Sequence, residues 1–239
     1  MDPIDPSLWQ VQPNDASPNT QSSHTPDQPD MDPCSCLSAM YLTVTDLQSI
    51  NNFTFPAVVP RLRHALTTAS NIVNCPKCPS DTFSAIQNIQ CLNSLLSALG
   101  QRFHNVLAEI DAEARRCEST GTKKSFRIGD NNPENMHLHT GSPDCPMSYN
   151  VELEPKEWKR LAKKMLRTEV EGGGSNPTPL MAVIEQLESR QVIWHQNPDI
   201  HGEERERLYG SISSCVPGEM QCLRTVNQVR GMVGRMDWE

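Results

Sequence analysis

The sequence predicts an all-α protein: a helical bundle around one long central helix, with a disordered acidic N-terminus. Three observations carry this. Eight apolar residues (Ala85, Ile89, Leu92, Leu96, Leu99, Phe103, Val106 and Ile110) recur at alternating steps of four and three, the seam of a long helix packed lengthwise. Nineteen Pro stand against twelve Gly, with five Phe, four Trp and three Tyr, a poor composition for an aromatic-rich sandwich or an α/β enzyme with Gly-rich loops. Apolar residues make up 36% of the 239-residue chain. With Gly counted the share is about 41%, against roughly 45–50% in ordinary globular domains, so part of the chain is expected not to pack.

That part is residues 1–33, which hold seven Pro and six Asp and no Glu, Lys or Arg. They account for most of the net charge of −8, and so polar a segment cannot bury enough surface to offset its ordering entropy. Ile4, Leu8 and Trp9 among Asp2, Asp5 and Asp15 match the composition of acidic activation segments; a solubilising tail has the same composition. Met1 opens no secretory signal or transit peptide, and no run of about 18 apolar residues follows. The chain is therefore expected to be intracellular, with no membrane contact, its nine cysteines reduced and the sequon Asn52-Phe53-Thr54 idle.

Leu37, Met40, Tyr41, Val44 and Leu47 give a first helix, interrupted at Asn51-Asn52. Pro56 and Pro60 open a second, with Leu62, Ala65, Leu66, Ala69, Ile72 and Val73 on one face and Asn74-Cys75-Pro76 at its end. A short link favours antiparallel packing, which returns Cys75 to Cys34 and Cys36. The long helix is expected over 82–117, capped by Ser80 or Asp81, and its sustained heptads allow either a bundle within the chain or a homodimer. Residues 118–153, rich in Gly, Asn and Pro, read as a long connection. Pro155 then starts a helix with Trp158, Leu161, Met165 and Leu166 inward, closed by Gly172-Gly173-Gly174. Another follows Asn176-Pro177, with Leu180, Val183, Ile184, Leu187 and Trp194 on one side. A last one spans about 220–236 through Leu223, Val226, Val229 and Val233. The organisation expected is a tail over 1–33, a helical domain over 34–198 and a C-terminal helical extension over 199–239.

Several motifs occur together in order: Cys34-Ser35-Cys36-Leu37, Cys75-Pro76-Lys77-Cys78-Pro79, and the long helix ending Glu109-Ile110-Asp111-Ala112-Glu113-Ala114. His137-Leu138-His139-Thr140 with Cys145-Pro146, Glu154-Pro155-Lys156-Glu157-Trp158, and Glu188-Ser189-Arg190-Gln191 before Trp194-His195 follow. Over 34–198 the chain resembles the C-terminal regulatory region of fungal binuclear-zinc-cluster transcription factors of the aflatoxin-regulatory-protein type. The resemblance implies a nuclear, non-enzymatic transcription regulator of a secondary-metabolite gene cluster. The family's DNA-reading module, six cysteines interleaved with basic residues around two zinc ions, is not among these 239 residues, and the acidic 1–33 would repel phosphate. Action through other transcription regulators or the transcription machinery is thus expected, with DNA touched indirectly or weakly. The alternative is a helical adaptor outside the nucleus, assembled through the Ala85–Ile110 seam.

Two groups of residues invite metal. Cys34, Cys36, Cys75 and Cys78 would meet at one end of the first hairpin, and four thiolates suit one structural zinc with no open position for substrate; packing thiols or two disulfides are the other readings. His137, His139 and Cys145, with His195 as a fourth donor, form a weaker set and the sole enzyme-like constellation. No nucleotide loop, Gly-x-Ser-x-Gly or His-Glu-x-x-His occurs. Lys156, Lys159, Arg160, Lys163, Lys164 and Arg167 form one dense basic patch, readable as an import signal, a phosphate contact or the solvated face of an amphipathic helix.

Overall fold

The computed structural model describes residues 34–78, 82–130, 132–142, 144–196, 207 and 221–239. The acidic segment 1–33, and Ser80 and Asp81 as caps, lie outside them. Cys34–Glu239 forms one compact unit. It contains α1 (Cys36–Gln48), α2 (Val59–Val73), α3 (Thr82–Thr120), β1 (Lys124–Gly129) and a 3-10 turn (Pro133–Leu138). After these come β2 (Ser148–Leu153), α4 (Pro155–Glu171), α5 (Leu180–Gln196), a short 3-10 turn (Gln221–Leu223) and α6 (Arg224–Val233). Among the described residues no helix is long and apolar enough to cross a membrane.

The helix boundaries follow local chemistry. Pro60 sits in the first turn of α2 and Pro155 opens α4, positions where a missing N–H costs nothing. At Asn74 α2 ends, the backbone N–H of Asn74 donating to the Ser70 carbonyl and that of Cys75 to the Ile72 carbonyl. At the end of α4 the chain turns through Gly172 at φ +98°, a conformation that glycine adopts without strain.

Helix α3 has 39 residues, about 58 Å at 1.5 Å per residue. It contacts α1, α2, α4, α5 and α6. All eight seam residues from Ala85 to Ile110 are buried within the chain, with Leu92, Leu96, Leu99, Phe103 and Val106 fully inaccessible. Within the chain this apolar seam packs against the protein's own helices. Gly100 lets α6 approach closely, since a Cβ there would lie 2.9 Å from Met232 Cε and 3.2 Å from Val229 Cγ1. Polar ties fix the rims. Arg102 Nε donates to the Leu47 carbonyl at 2.9 Å, Arg63 pairs with buried Glu169 to join α2 to α4, and Arg230 meets Glu188 at 2.6 Å to join α6 to α5.

Two facial assignments differ from the sequence pattern. Tyr41 is 69% and Met165 43% exposed, because the buried stripe of α1 runs through Met40, Thr43 and Leu47 and that of α4 through Trp158, Ala162, Leu166 and Val170. The larger difference is in residues 118–153. Helix α3 continues three residues past Cys117, and the expected connection contains the antiparallel pair β1·β2, in which Phe126 faces Val151 and Ile128 faces Tyr149. The all-α expectation is thus corrected to a mostly helical fold with one small sheet. Lys124, Phe126 and Ile128 share a face with Leu153, Val151 and Tyr149, a period of two that places Phe126 and Leu153 against the core. Lys124 clamps this hairpin to the bundle, with Nζ 2.6 Å from Glu113 and 5.2 Å from the Trp158 ring centroid.

Candidate metal centre

Four cysteines meet where α1 begins and α2 ends. The two helices run antiparallel: Asp46 near the end of α1 pairs with Arg61 near the start of α2 at 2.5 Å, so the opposite ends come together around Cys34 and Cys75. Cys34 precedes α1 and Cys36 opens its first turn, while Cys75 and Cys78 occupy the turn between α2 and α3 that Pro76 keeps from being helical. Cys34 Sγ lies 3.5 Å from Cys75 Sγ and 3.3 Å from Cys78 Sγ. All four sulfurs fall within 4.8 Å of one another. With metal–sulfur bonds of about 2.3 Å, a tetrahedral tetrathiolate needs sulfurs roughly 3.8 Å apart, a spacing inside this range. The four thiols could bind a metal.

Their electrostatics are unequal. Burial, with the neighbouring thiols of Cys34, Cys78 and Cys75, pushes the Cys36 thiol far above its ordinary range. Burial and Cys34 push Cys78 up to about 12. At Cys75 burial also opposes ionisation, but backbone N–H groups of Cys78 and Lys77 and the thiols of Cys34 and Cys36 outweigh it and bring the thiol down to about 7. Cys75 is therefore drawn toward ionisation while Cys36 and Cys78 are held back from it.

Sequence reasoning missed two neighbours of this cluster. Arg190 on α5 is half-buried and donates from Nη1 to the carbonyls of Ile72 and Val73, both at 3.4 Å, and from Nη2 to Asn88 Oδ1 at 2.8 Å. Asn88 on α3 is 4% exposed, and its Nδ2 is buried with no hydrogen-bond partner. Arg190, Asn88 and Cys78 line one small cavity with Trp194. A signal was there: Arg190 falls three residues after Leu187 and four before Trp194, a charge inside an otherwise apolar stripe.

The second donor set does not assemble. His137 is exposed on the 3-10 turn. His139 holds the Asp130 carbonyl through Nε2 at 2.6 Å and places Nδ1 3.5 Å from Cys145 Sγ. His195 instead meets Cys222 at 3.3 Å. Among the described residues, Cys34, Cys36, Cys75 and Cys78 are the one group with metal-ligand proximity.

The basic residues of α4 divide. Lys156, Arg160, Lys164 and Arg167 are exposed along one stripe, with Arg167 paired to Glu171 at 2.6 Å. Lys159 is half-buried against Asp111 at 3.2 Å. Lys163 leaves the patch altogether: its side chain is fully buried, 3.2 Å from Asp111 and donating to the carbonyls of Asp237 and Glu239 at 2.9 and 2.5 Å.

Comparison with known proteins places this helical unit beside transcription factors. The chain is 24% identical over 229 residues to transcription factor rglT of Emericella nidulans, covering 93% of this chain and 50% of that protein. It is 22% identical over 236 residues to transcription factor rglT of Aspergillus fumigatus, covering 91% of this chain and 51% of that one. The chain thus spans about half the length of the curated relatives it matches. No family model and no solved structure matches it.

Proposed function

We propose that this chain acts as the regulatory part of a fungal transcription regulator, in the nucleus and by binding rather than by catalysis. The observation that carries the reading is the alignment of nearly the whole chain, 93% of it, with a protein named as a transcription factor. The resemblance to the aflatoxin-regulatory-protein type supports control of a secondary-metabolite gene cluster as the biological output. With the acidic 1–33 poorly suited to phosphate, the chain works through other transcription regulators or the transcription machinery. One structural zinc at Cys34, Cys36, Cys75 and Cys78 closes the α1–α2 corner, and four thiolates leave no position open for a substrate. The exposed stripe of Lys156, Arg160, Lys164 and Arg167 is the surface that would serve nuclear import.

The test is to tether the 239-residue chain to a DNA-binding module of known target and measure a reporter in a filamentous fungus. Severalfold change in reporter transcription, with a fluorescent fusion in the nucleus, is the expected result. An unchanged reporter with the fusion in the cytoplasm would overturn the reading in favour of an adaptor. Neutralising Lys156, Arg160 and Lys164 together should move the fusion to the cytoplasm.

A further inference from the structure

Asn88 and Arg190 border the cysteine corner, the first with an unpartnered buried donor and the second with a cation among neutral partners. Arginine offers donors alone, so the Asn88 oxygen must face Nη2 of Arg190 and the amide orientation is fixed. That leaves Nδ2, with two donors, buried and unpartnered on a residue that lines one small cavity with Cys78. A buried donor without an acceptor is costly. A thiol sulfur is a weak acceptor, whereas a thiolate carries a full negative charge and accepts well.

Arg190 makes the same point through charge. Its partners among the described residues are two carbonyls and one amide oxygen, all neutral. The carbonyls belong to the last turn of α2, whose end carries about half a negative charge. That end would account for an arginine placed simply to cap α2, but it balances half of the cation and does nothing for Asn88. Burial pulls the guanidinium below its ordinary range, and the sulfurs of Cys78, Cys36 and Cys75 oppose only part of that pull.

We infer that Asn88 and Arg190 are outer-shell partners of a zinc tetrathiolate at Cys34, Cys36, Cys75 and Cys78, Asn88 donating to a bound sulfur and Arg190 offsetting its charge. On binding, the four thiols lose four protons to solvent and form four Zn–S bonds, so the centre carries a net charge of −2. An ion at this corner then joins α1, α2, α3 and α5, through Cys36, the turn after α2, Asn88 and Arg190. The inference rests on the zinc reading above and adds to it the residues that tune the affinity.

The full chain is loaded with cobalt(II) and then titrated with zinc against a chromophoric chelator, for wild type, Arg190→Gln, Arg190→Lys and Asn88→Asp. Wild type should show the visible absorption of tetrahedral cobalt tetrathiolate at one metal per chain. Outer-shell losses typically cost ten- to hundredfold in metal affinity, and Arg190→Gln should fall in that range while Arg190→Lys recovers part of it. Asn88→Asp separates the two roles and covers the case in which Arg190→Gln fails to fold. It gives Arg190 a carboxylate, which would stabilise the fold if Arg190 merely capped α2, yet it places a like charge beside the thiolates and should weaken zinc at least tenfold. Wild-type affinity in both Arg190→Gln and Asn88→Asp would overturn this inference and leave the zinc site standing. A wild-type chain that binds neither cobalt nor zinc would overturn both.

Discussion

Replacing Lys163 with Met tests the most unexpected burial in the molecule. The side chain of Lys163 is fully inaccessible, and its ammonium is held by Asp111 at 3.2 Å and by the carbonyls of Asp237 and Glu239 at 2.9 and 2.5 Å. Methionine keeps most of the stem's volume and removes the charge. Deleting one partner of a buried ion pair costs about 3–5 kcal/mol because the other is left uncompensated. Here Asp111 is 23% exposed and keeps Lys159 at 3.2 Å, and Asp237 is open to water, so part of that cost is recovered. Lys163→Met should therefore destabilise the chain by about 2–4 kcal/mol, mostly through hydrogen bonds to a charged donor worth about 1.5–3 kcal/mol each. Urea unfolding followed by circular dichroism measures it, with an unchanged slope showing that stability rather than compactness moved. The Asp237 carboxyl adds a second readout. It is held below its ordinary range first by the Glu239 backbone N–H and then by the Lys163 charge, so its titration in the variant should shift up toward the ordinary value. A loss under about 0.5 kcal/mol, the range of plain surface substitutions, with no shift at Asp237, would refute the view that Lys163 anchors residues 237–239.

Glu113 carries a pH dependence. Its carboxyl lies below its ordinary range because Lys124, 2.6 Å away, and then Arg116 favour the charged form against burial. A depressed folded value stabilises the protein above the unfolded carboxylate pKa of about 4.3 and loses that contribution as pH falls toward the lower folded value. Glu113→Gln should cost about 1–3 kcal/mol at neutral pH and flatten the acid limb below about pH 5 in a stability–pH profile; an unaltered acid limb would contradict this. Gly100 tests the approach of α6 to α3. Gly100→Ala meets the flexible end of Met232 and should be near neutral, the helix-propensity gain of about 1 kcal/mol offsetting the squeeze. Gly100→Leu should cost about 1–3 kcal/mol and raise amide exchange in α6, and equal stability of the two variants would show that α6 does not pack there.

Much of the helical framework was legible because burial on a helix leaves a periodic trace. The Ala85–Ile110 seam, the α2 face and the stripe Leu180, Val183, Ile184, Leu187 are buried as their spacing predicts. The meeting of Cys34 and Cys36 with Cys75 and Cys78 was also legible, since a short link between two helices of similar length returns the chain to its start. The hairpin was not read, although Phe126 and Ile128 alternate with polar residues as Tyr149, Val151 and Leu153 do. Each strand has six residues and is largely exposed, and a short alternation is easily lost among the turn residues between them.

By itself the sequence determined which segments become helices and, for α2, α3, α5 and α6, which apolar face is buried, because helix periodicity is a property of a few neighbouring residues. It also determined that four thiols lie within reach of one corner. Tertiary structure alone decided what the charged and polar side chains do. Lys163 turns inward while Lys164 faces water, because Asp111 and the segment at 237–239 converge on one of them. Arg190 and Asn88 join the cysteine corner because α5 and α3 pack against the end of α2. A charge can be buried only where partners distant in sequence arrive to satisfy it, and no local pattern records their arrival.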